Sequence, residues 1–172
     1  MLGKIQSAIT NDPKNKELYY YLGLTYVQVA DAANAKSAKE KDAALKNTEH
    51  TTALDNYAKA SDAYKKALEI DPNYFEANMN LGYVLMRPAL DIYNAAQALP
   101  TNKQKEYDAA LATSNSMLDQ AKPYLQKAVD LKPKDRDALT NLRSYYRGKS
   151  DKAHLAEYKA KADELKKQID AL

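Results

Sequence analysis

The sequence predicts an all-α protein, an α-α superhelix built from antiparallel helix hairpins. The chain of 172 residues has only 4 Gly and 6 Pro and is rich in Ala, Leu, Lys, Asp and Glu, a composition that favours helix. A helix–turn–helix pattern also recurs three times, each time around a proline. A proline pushes the residue before it out of the α region, so each of these turns is expected to end a helix.

The three turns share one register. The segments AITNDPKN, ALEIDPNY and AVDLKPKD occupy residues 8–15, 67–74 and 128–135, and in each an Ala precedes the Pro by five residues. A Leu follows the Pro by nine residues every time, at Leu22, Leu81 and Leu142. New helices are therefore predicted to begin shortly after each turn.

These residue types resemble the tetratricopeptide repeat, a helical hairpin whose small Ala and Gly let helices approach while Tyr and Leu fill the gaps. The first unit matches the family pattern at Tyr19, Leu22, Gly23, Tyr26, Ala60, Tyr64, Ala67 and Pro72. The second and third units match at Leu81, Gly82, Ala121, Leu125, Ala128, Pro133, Leu142 and Tyr146. Arg143 stands where the third unit would carry its Gly. The alternative is another bundle of Ala-rich amphipathic helices.

The resemblance implies a right-handed solenoid of hairpins, ended by a capping helix at residues 151–172 with an apolar stripe of Leu155, Tyr158, Ala162 and Leu165. We expect a single domain over residues 1–172. Its parts are the second helix of a truncated repeat (1–15), a repeat with an insertion at 31–52 (16–74), a repeat with an insertion at about 89–115 (75–135), and a degenerate repeat with the cap (136–172). Because residues 1–10 resemble an internal helix, we expect a fragment of a longer protein or a helix that something else covers.

Both insertions are predicted to be lengthened helical hairpins. At about 1.5 Å per residue, roughly twelve extra residues in each arm would extend a hairpin by about 18 Å. The insertion at 31–52 has no Pro or Gly and continues a helical composition, whereas the second has a predicted turn at 99–102. Pro88 and Pro123 are expected to kink or divide their helices. Disordered loops are the alternative.

No residue pattern predicts a catalytic, cofactor or metal site. The chain has no Cys, which excludes disulfides and thiolate chemistry, and its two histidines, His50 and His154, are solitary, at a predicted hairpin tip and in the capping helix. The net charge of +3 does not predict a nucleic-acid partner, and no apolar run is long enough to span a membrane. An enzyme with a buried carboxylate cluster and weak RNA binding through lysine-rich tips are lesser alternatives.

The resemblance implies a concave groove lined by the first helix of each hairpin. The predicted groove residues are Glu17, Tyr20, Leu24, Val27, Gln28, Glu76, Met79, Tyr83, Met86, Arg87, Asp137, Thr140, Ser144 and Arg147. Tyr, Met and Arg are enriched at protein interfaces. Alternatively, Tyr20, Met79 and Tyr83 only pack against neighbouring helices. The family's carboxylate clamp is not expected, because Leu24, Tyr83 and Ser144 replace its Asn and no Lys accompanies them.

The predicted function is a non-enzymatic interaction module that holds a peptide or helix of an unidentified protein partner. The alternative is a structural fragment of a larger envelope protein that self-associates through its N-terminal helix. The segment at residues 121–135 is similar to a bacterial subgroup with lengthened hairpins, most of them cell-envelope proteins. This resemblance favours the periplasm or cell envelope over the cytoplasm.

Overall fold

A computed structural model describes residues 2–172, which form seven α-helices and one short 3₁₀ helix. The helices are α1 (Leu2–Asn11), α2 (Lys16–Lys39), α3 (Ala43–Ile70), α4 (Phe75–Gln97), α5 (Gln104–Leu131), α6 (Arg136–Gly148) and α7 (Leu155–Asp170). The predicted all-α fold is confirmed. Met1, which the prediction placed in the first helix, lies outside the described residues.

The three proline turns have the same geometry. Helices α1, α3 and α5 each end within two residues of the proline, as the restriction on the preceding residue requires. In each turn a backbone N–H donates to the carbonyl three residues earlier, at 3.3, 3.1 and 3.0 Å: Asn15 to Asp12, Tyr74 to Asp71 and Asp135 to Lys132. The three segments that share a sequence register therefore also share one turn structure.

The first insertion is helical throughout most of its length. Helix α2 continues to Lys39 and α3 begins at Ala43, so the tip is a short turn. Asp42 caps α3, since its Oδ1 accepts hydrogen bonds of 2.9 Å from two backbone N–H groups of the first turn. Ser37 Oγ donates to the carbonyl of Lys46 across the hairpin at 3.0 Å. The lengthened hairpin is confirmed, and His50 lies within α3 instead of at the tip.

The second insertion also forms two helical arms. Helix α4 ends at Gln97, a 3₁₀ helix covers Thr101–Lys103, and α5 follows directly, which agrees with the turn predicted at 99–102. Pro88 and Pro123 lie inside α4 and α5 without dividing either helix. Tertiary packing sustains α4 here: Ala89 is fully buried, and its carbonyl accepts a 2.8 Å hydrogen bond from Ser114 Oγ of α5.

The chain divides into two compact units, the first ending at Val84 and the second covering Leu85–Leu172. In the first unit, α2 and α3 pack through small residues, including the fully buried Ala30 and Ala53. Gly23 of α2 faces the buried ring of Tyr64, and a Cβ at this position would lie 2.4 Å from Tyr64 Cε1. Only glycine allows this close approach of the two helices.

The core of the second unit joins α4, α5, α6 and α7. Its buried side chains include Leu118 and Leu125 of α5, Tyr145 of α6 and Leu165 of α7. Helix α7 begins later than the predicted cap, at Leu155, and that residue is 47 % exposed although the prediction placed it in the packed stripe. It lies in the first turn of α7, before the helix makes its buried contacts.

Candidate functional site

Three tyrosines form an aromatic patch in the first unit: Tyr20 and Tyr21 of α2, and Tyr74 of the turn before α4. The ring centroid of Tyr20 lies 5.6 Å from that of Tyr21 and 5.4 Å from that of Tyr74. Beneath them is the fully buried Tyr64, whose centroid is 6.0 Å from Tyr20. Tyr21 is 53 % exposed, so the patch presents aromatic surface to solvent over a fixed base.

The local structure that holds the patch is the start of α2 against the proline turn. Asn15 caps α2, its Oδ1 accepting a 3.1 Å hydrogen bond from the backbone N–H of Glu17. Lys16 Nζ lies 2.5 Å from Asp71 Oδ2 and 4.7 Å from the centroid of the Tyr74 ring. A partly exposed ion pair adds little stability, but this one ties the two elements that carry the tyrosines.

The electrostatic character of the patch is acidic. Burial, followed by the nearby Glu76 carboxylate, raises the pKa of Tyr20 and raises the pKa of Tyr74 to about 12. Glu17 adds to the effect on Tyr74. Lys16 is paired with Asp71 and also interacts with Glu17 and Glu76, so three carboxylates accompany this one ammonium at the patch. Tyr20 and Tyr74 therefore remain neutral at neutral pH.

The predicted groove positions that fall in the compact unit ending at Val84 lie on α2 and on the first turns of α4. The structure brings Glu17, Tyr20 and Glu76 together at the aromatic patch. Gln28 is exposed farther along α2, and the remaining predicted positions are half-buried: Leu24, Val27, Met79 and Tyr83. The ring of Tyr20 packs on its neighbours, as the packing interpretation expects, and part of its side chain is exposed, as the groove interpretation expects.

The groove positions predicted in the second unit differ widely in exposure. Met86 is 2 % exposed and belongs to the core, so its side chain presents no surface to a partner. Arg87 and Ser144 are half-buried, whereas Asp137, Thr140 and Arg147 are exposed. The hydroxyls of Thr140 and Ser144 donate to carbonyls one turn earlier on α6, at 2.7 and 2.9 Å.

Two residues of the patch, Tyr21 and Tyr74, are absent from the predicted groove. The three consecutive tyrosines at 19–21 indicated that one of them, here Tyr21, would be exposed, because three consecutive residues of a helix cannot share one buried face. Tyr19 donates to the carbonyl of Pro13 at 3.1 Å, which leaves Tyr21 on the exposed side. Nothing in the helical periodicity could place Tyr74, since it lies in a turn.

Within residues 2–172, no group of three or more His, Asp and Glu side chains is arranged to hold a metal ion. His154 is not solitary, as its Nδ1 lies 2.6 Å from Asp151 Oδ2 just before α7. None of the described helices combines the length and apolarity that crossing a membrane requires.

Two family models match the chain, one described as "TPR repeat" over residues 52–87 and one as "Tetratricopeptide repeat" over residues 109–135. No curated protein matches the sequence. The solved structure "Crystal structure of MamA" is similar at 18 % identity and a TM-score of 0.37, over 99 % of this chain and 90 % of that one. "Crystal structure of MamA protein" is similar at 19 % identity and a TM-score of 0.39, over 97 % and 81 %. Similarity at this level does not bear on which residues bind a partner.

Proposed function

Because this chain is a tetratricopeptide repeat protein, matched over residues 52–87 and 109–135, we propose that it is a non-enzymatic scaffold that binds a peptide or helix of a protein partner. The aromatic patch is the surface at which we place this binding in the first unit. The supporting observation is the exposure of Tyr21, at 53 %, above a rigid aromatic base.

The composition of the patch suits protein recognition. Tyrosine offers a large apolar face and a hydrogen-bonding hydroxyl with few rotatable bonds, and it is enriched among the residues that dominate interface energies. The half-buried Met79 and Tyr83 on α4 extend the apolar surface predicted for the groove. The fixed neighbours of Tyr20 limit the entropy lost when a partner binds.

The charge of the patch favours a basic partner segment. Glu17 and Glu76 lie beside the rings of Tyr20 and Tyr74. A Lys or Arg side chain over the exposed ring of Tyr21 would gain a cation–π contact, and the exposed carboxylate of Glu17, one turn earlier on α2, would attract its charge. We therefore propose a segment that places a basic residue next to an apolar one.

The test is a peptide array of apolar–basic sequences, with the affinity of the best peptide measured in solution for the full chain. Truncation of an interface anchor typically lowers affinity about tenfold or more. We expect that loss for the double variant Tyr21→Ala with Glu17→Gln, whose side chains are exposed. The triple variant Tyr20→Ala, Met79→Ala and Tyr83→Ala should abolish binding.

A control variant can be made on α5, which also carries a Tyr near a Glu, at Tyr107 and Glu106. The variant Tyr107→Ala with Glu106→Gln removes the same groups elsewhere and should leave affinity unchanged. Binding that survives the triple variant, or that falls equally in the control, would reject the patch as the site.

Self-association through α1 is the second candidate. None of the described residues of α1 is buried, although Leu2, Ile5 and Ile9 lie on this helix. These three side chains are half-buried, and the apolar surface that they leave exposed is one on which two copies could pair. Sedimentation of the full chain at increasing concentration should then show a dimer that Ile5→Lys abolishes, and a monomer at all concentrations would exclude it.

A further inference from the structure

A cavity of about 310 Å³ lies in the second unit between α6 and α7. One wall is aromatic: the rings of Tyr146 and Tyr158 line it, with centroids 6.3 Å apart. Leu155, exposed in the first turn of α7, stands at its edge. The volume is at the lower end for ligand sites, which suits one or two side chains.

The polar lining of this cavity is strongly cationic. Arg143, Arg147, Lys149 and Lys159 line it, against the single carboxylate of Asp163. Of the four cations, Lys149 is bound by a carboxylate of α5, with both oxygens at 2.9 Å. Among residues 2–172, the other three make no hydrogen bond or ion pair, and the buried Nε of Arg143 has no acceptor. The lining therefore carries more positive than negative charge, and Asp170, which does not line the cavity, also interacts electrostatically with Arg143.

One of the residues that line the cavity departs from the repeat pattern. Arg143 follows Leu142 as Gly23 follows Leu22 in the first unit. The glycine lets the ring of Tyr64 come within 2.4 Å of where a Cβ would lie. Arg143 brings a long cationic side chain to the corresponding position of α6, and this side chain lines the cavity.

We propose that this cavity binds a carboxylate side chain of an acidic peptide segment, with an apolar neighbour against the tyrosines. Arginine pairs with carboxylates through two parallel hydrogen bonds, and such charge-assisted bonds are the strong ones. Arg143 and Arg147 lie one turn apart on α6, so both can reach one acidic segment. The proposal is independent of the aromatic patch, which lies in the first unit and favours the opposite charge.

The experiment is calorimetric titration of the full chain with a glutamate-rich peptide that contains one leucine, acetylated and amidated so that only side chains supply carboxylates. We expect binding that weakens with salt. Replacing both guanidiniums, Arg143→Gln with Arg147→Gln, should lower affinity about tenfold or more, the loss expected when charge-assisted hydrogen bonds are removed. Lys159→Gln, an exposed single change that does not threaten folding, should lower it by a smaller factor.

The matched control removes two charges elsewhere, with Lys39→Gln and Lys105→Gln at exposed positions of α2 and α5. It should leave affinity unchanged, and an equal loss would show attraction by net charge alone and overturn the proposal. Equal binding of the glutamine version of the peptide would overturn it as well. Inorganic phosphate that displaces the peptide at equal concentration would assign the cavity to small anions instead. The Tyr21→Ala variant should bind the acidic peptide normally.

Discussion

At the scale of single residues, two buried tyrosines differ in whether the hydroxyl group forms a hydrogen bond. Tyr64 is fully buried, and its hydroxyl has no partner among residues 2–172. Tyr145 is 1 % exposed and donates to Asp119 Oδ1 at 2.9 Å. Burial raises the pKa of both groups, with Asp119 as an added cause for Tyr145. The two positions form a natural comparison of an unsatisfied and a satisfied hydroxyl.

We predict that Tyr64→Phe is neutral or raises the free energy of unfolding by up to about 1 kcal/mol, because it removes a buried polar group that has no partner. Tyr145→Phe should lower it by about 1–2 kcal/mol, because its hydroxyl bonds to a carboxylate. Urea denaturation of the two variants tests the difference. A larger loss for Tyr64→Phe than for Tyr145→Phe would contradict it.

The sequence predicted where Tyr64 lies but not the state of its hydroxyl. The match of Ala60, Tyr64 and Ala67 to the repeat pattern placed the ring at a packing position between helices, whereas its contact with Gly23 is known only from the structure. Whether a polar atom finds a partner depends on distances of a few tenths of an ångström between elements. No residue pattern carries that information.

At the scale of elements, the end of α6 is fastened to α5 by an asymmetric ion pair. The Lys149 side chain is 5 % exposed, whereas that of Asp119 is 56 % exposed. Asn115 of α5 adds a second contact, its Oδ1 accepting a 3.0 Å hydrogen bond from the backbone N–H of Ser150. Because only the lysine is buried, removing the aspartate leaves a buried ammonium, whereas removing the lysine leaves a carboxylate that water can reach.

We predict that Asp119→Ala lowers the free energy of unfolding by about 3 kcal/mol, since it leaves the buried ammonium of Lys149 unpaired and removes the acceptor of the buried Tyr145 hydroxyl. Lys149→Met should lower it by about 1 kcal/mol or less, because the remaining carboxylate is solvated and the apolar stem is kept. Thermal unfolding of the single variants and of the double variant measures both. Measured in the Tyr145→Phe background, where the hydroxyl is absent, equal losses in the two single variants would show that burial of the lysine is not the cause.

The elements themselves were predictable because their signals are local. The three proline turns, the helix restarts and the turn at 99–102 follow from short motifs. The helical insertion at 31–52 followed from composition alone. The fastening of Lys149 to Asp119 was not predictable, since it joins residues thirty positions apart in the chain. The exposure of Leu155 was missed because helical spacing does not show where a helix begins to pack.

At the scale of the whole molecule, titration should limit stability at both ends of the pH range. Pairing with neighbouring cations lowers the pKa of Asp71, Glu157 and Asp170, and pairing with His154 lowers that of Asp151. Their contribution is present above the unfolded values near 4 and is lost as pH falls through the lowered values. The tyrosines act in the opposite direction, since a raised pKa contributes stability that is lost as pH rises.

We predict a plateau in melting temperature between about pH 5 and pH 9, bounded by a shallow acid decline and a steeper alkaline one. The acid side is shallow because these carboxylates are exposed, and the alkaline side is steep because Tyr64 and Tyr145 are buried. Circular dichroism melts across this range measure the curve. Tyr64→Phe should move the alkaline limit upward, and an unchanged limit would exclude Tyr64 as a cause.

The shared proline turns and the lengthened hairpins together have a consequence for how this chain can evolve. The turns around Pro13, Pro72 and Pro133 fix the packing register at one end of each hairpin. The opposite end of the first hairpin is a short turn between Lys39 and Ala43, closed by its own cap. Whole helical turns can therefore be added or deleted at that end without disturbing the register near the prolines. Arm length is then a trait that selection can adjust separately from the residues around the proline turns.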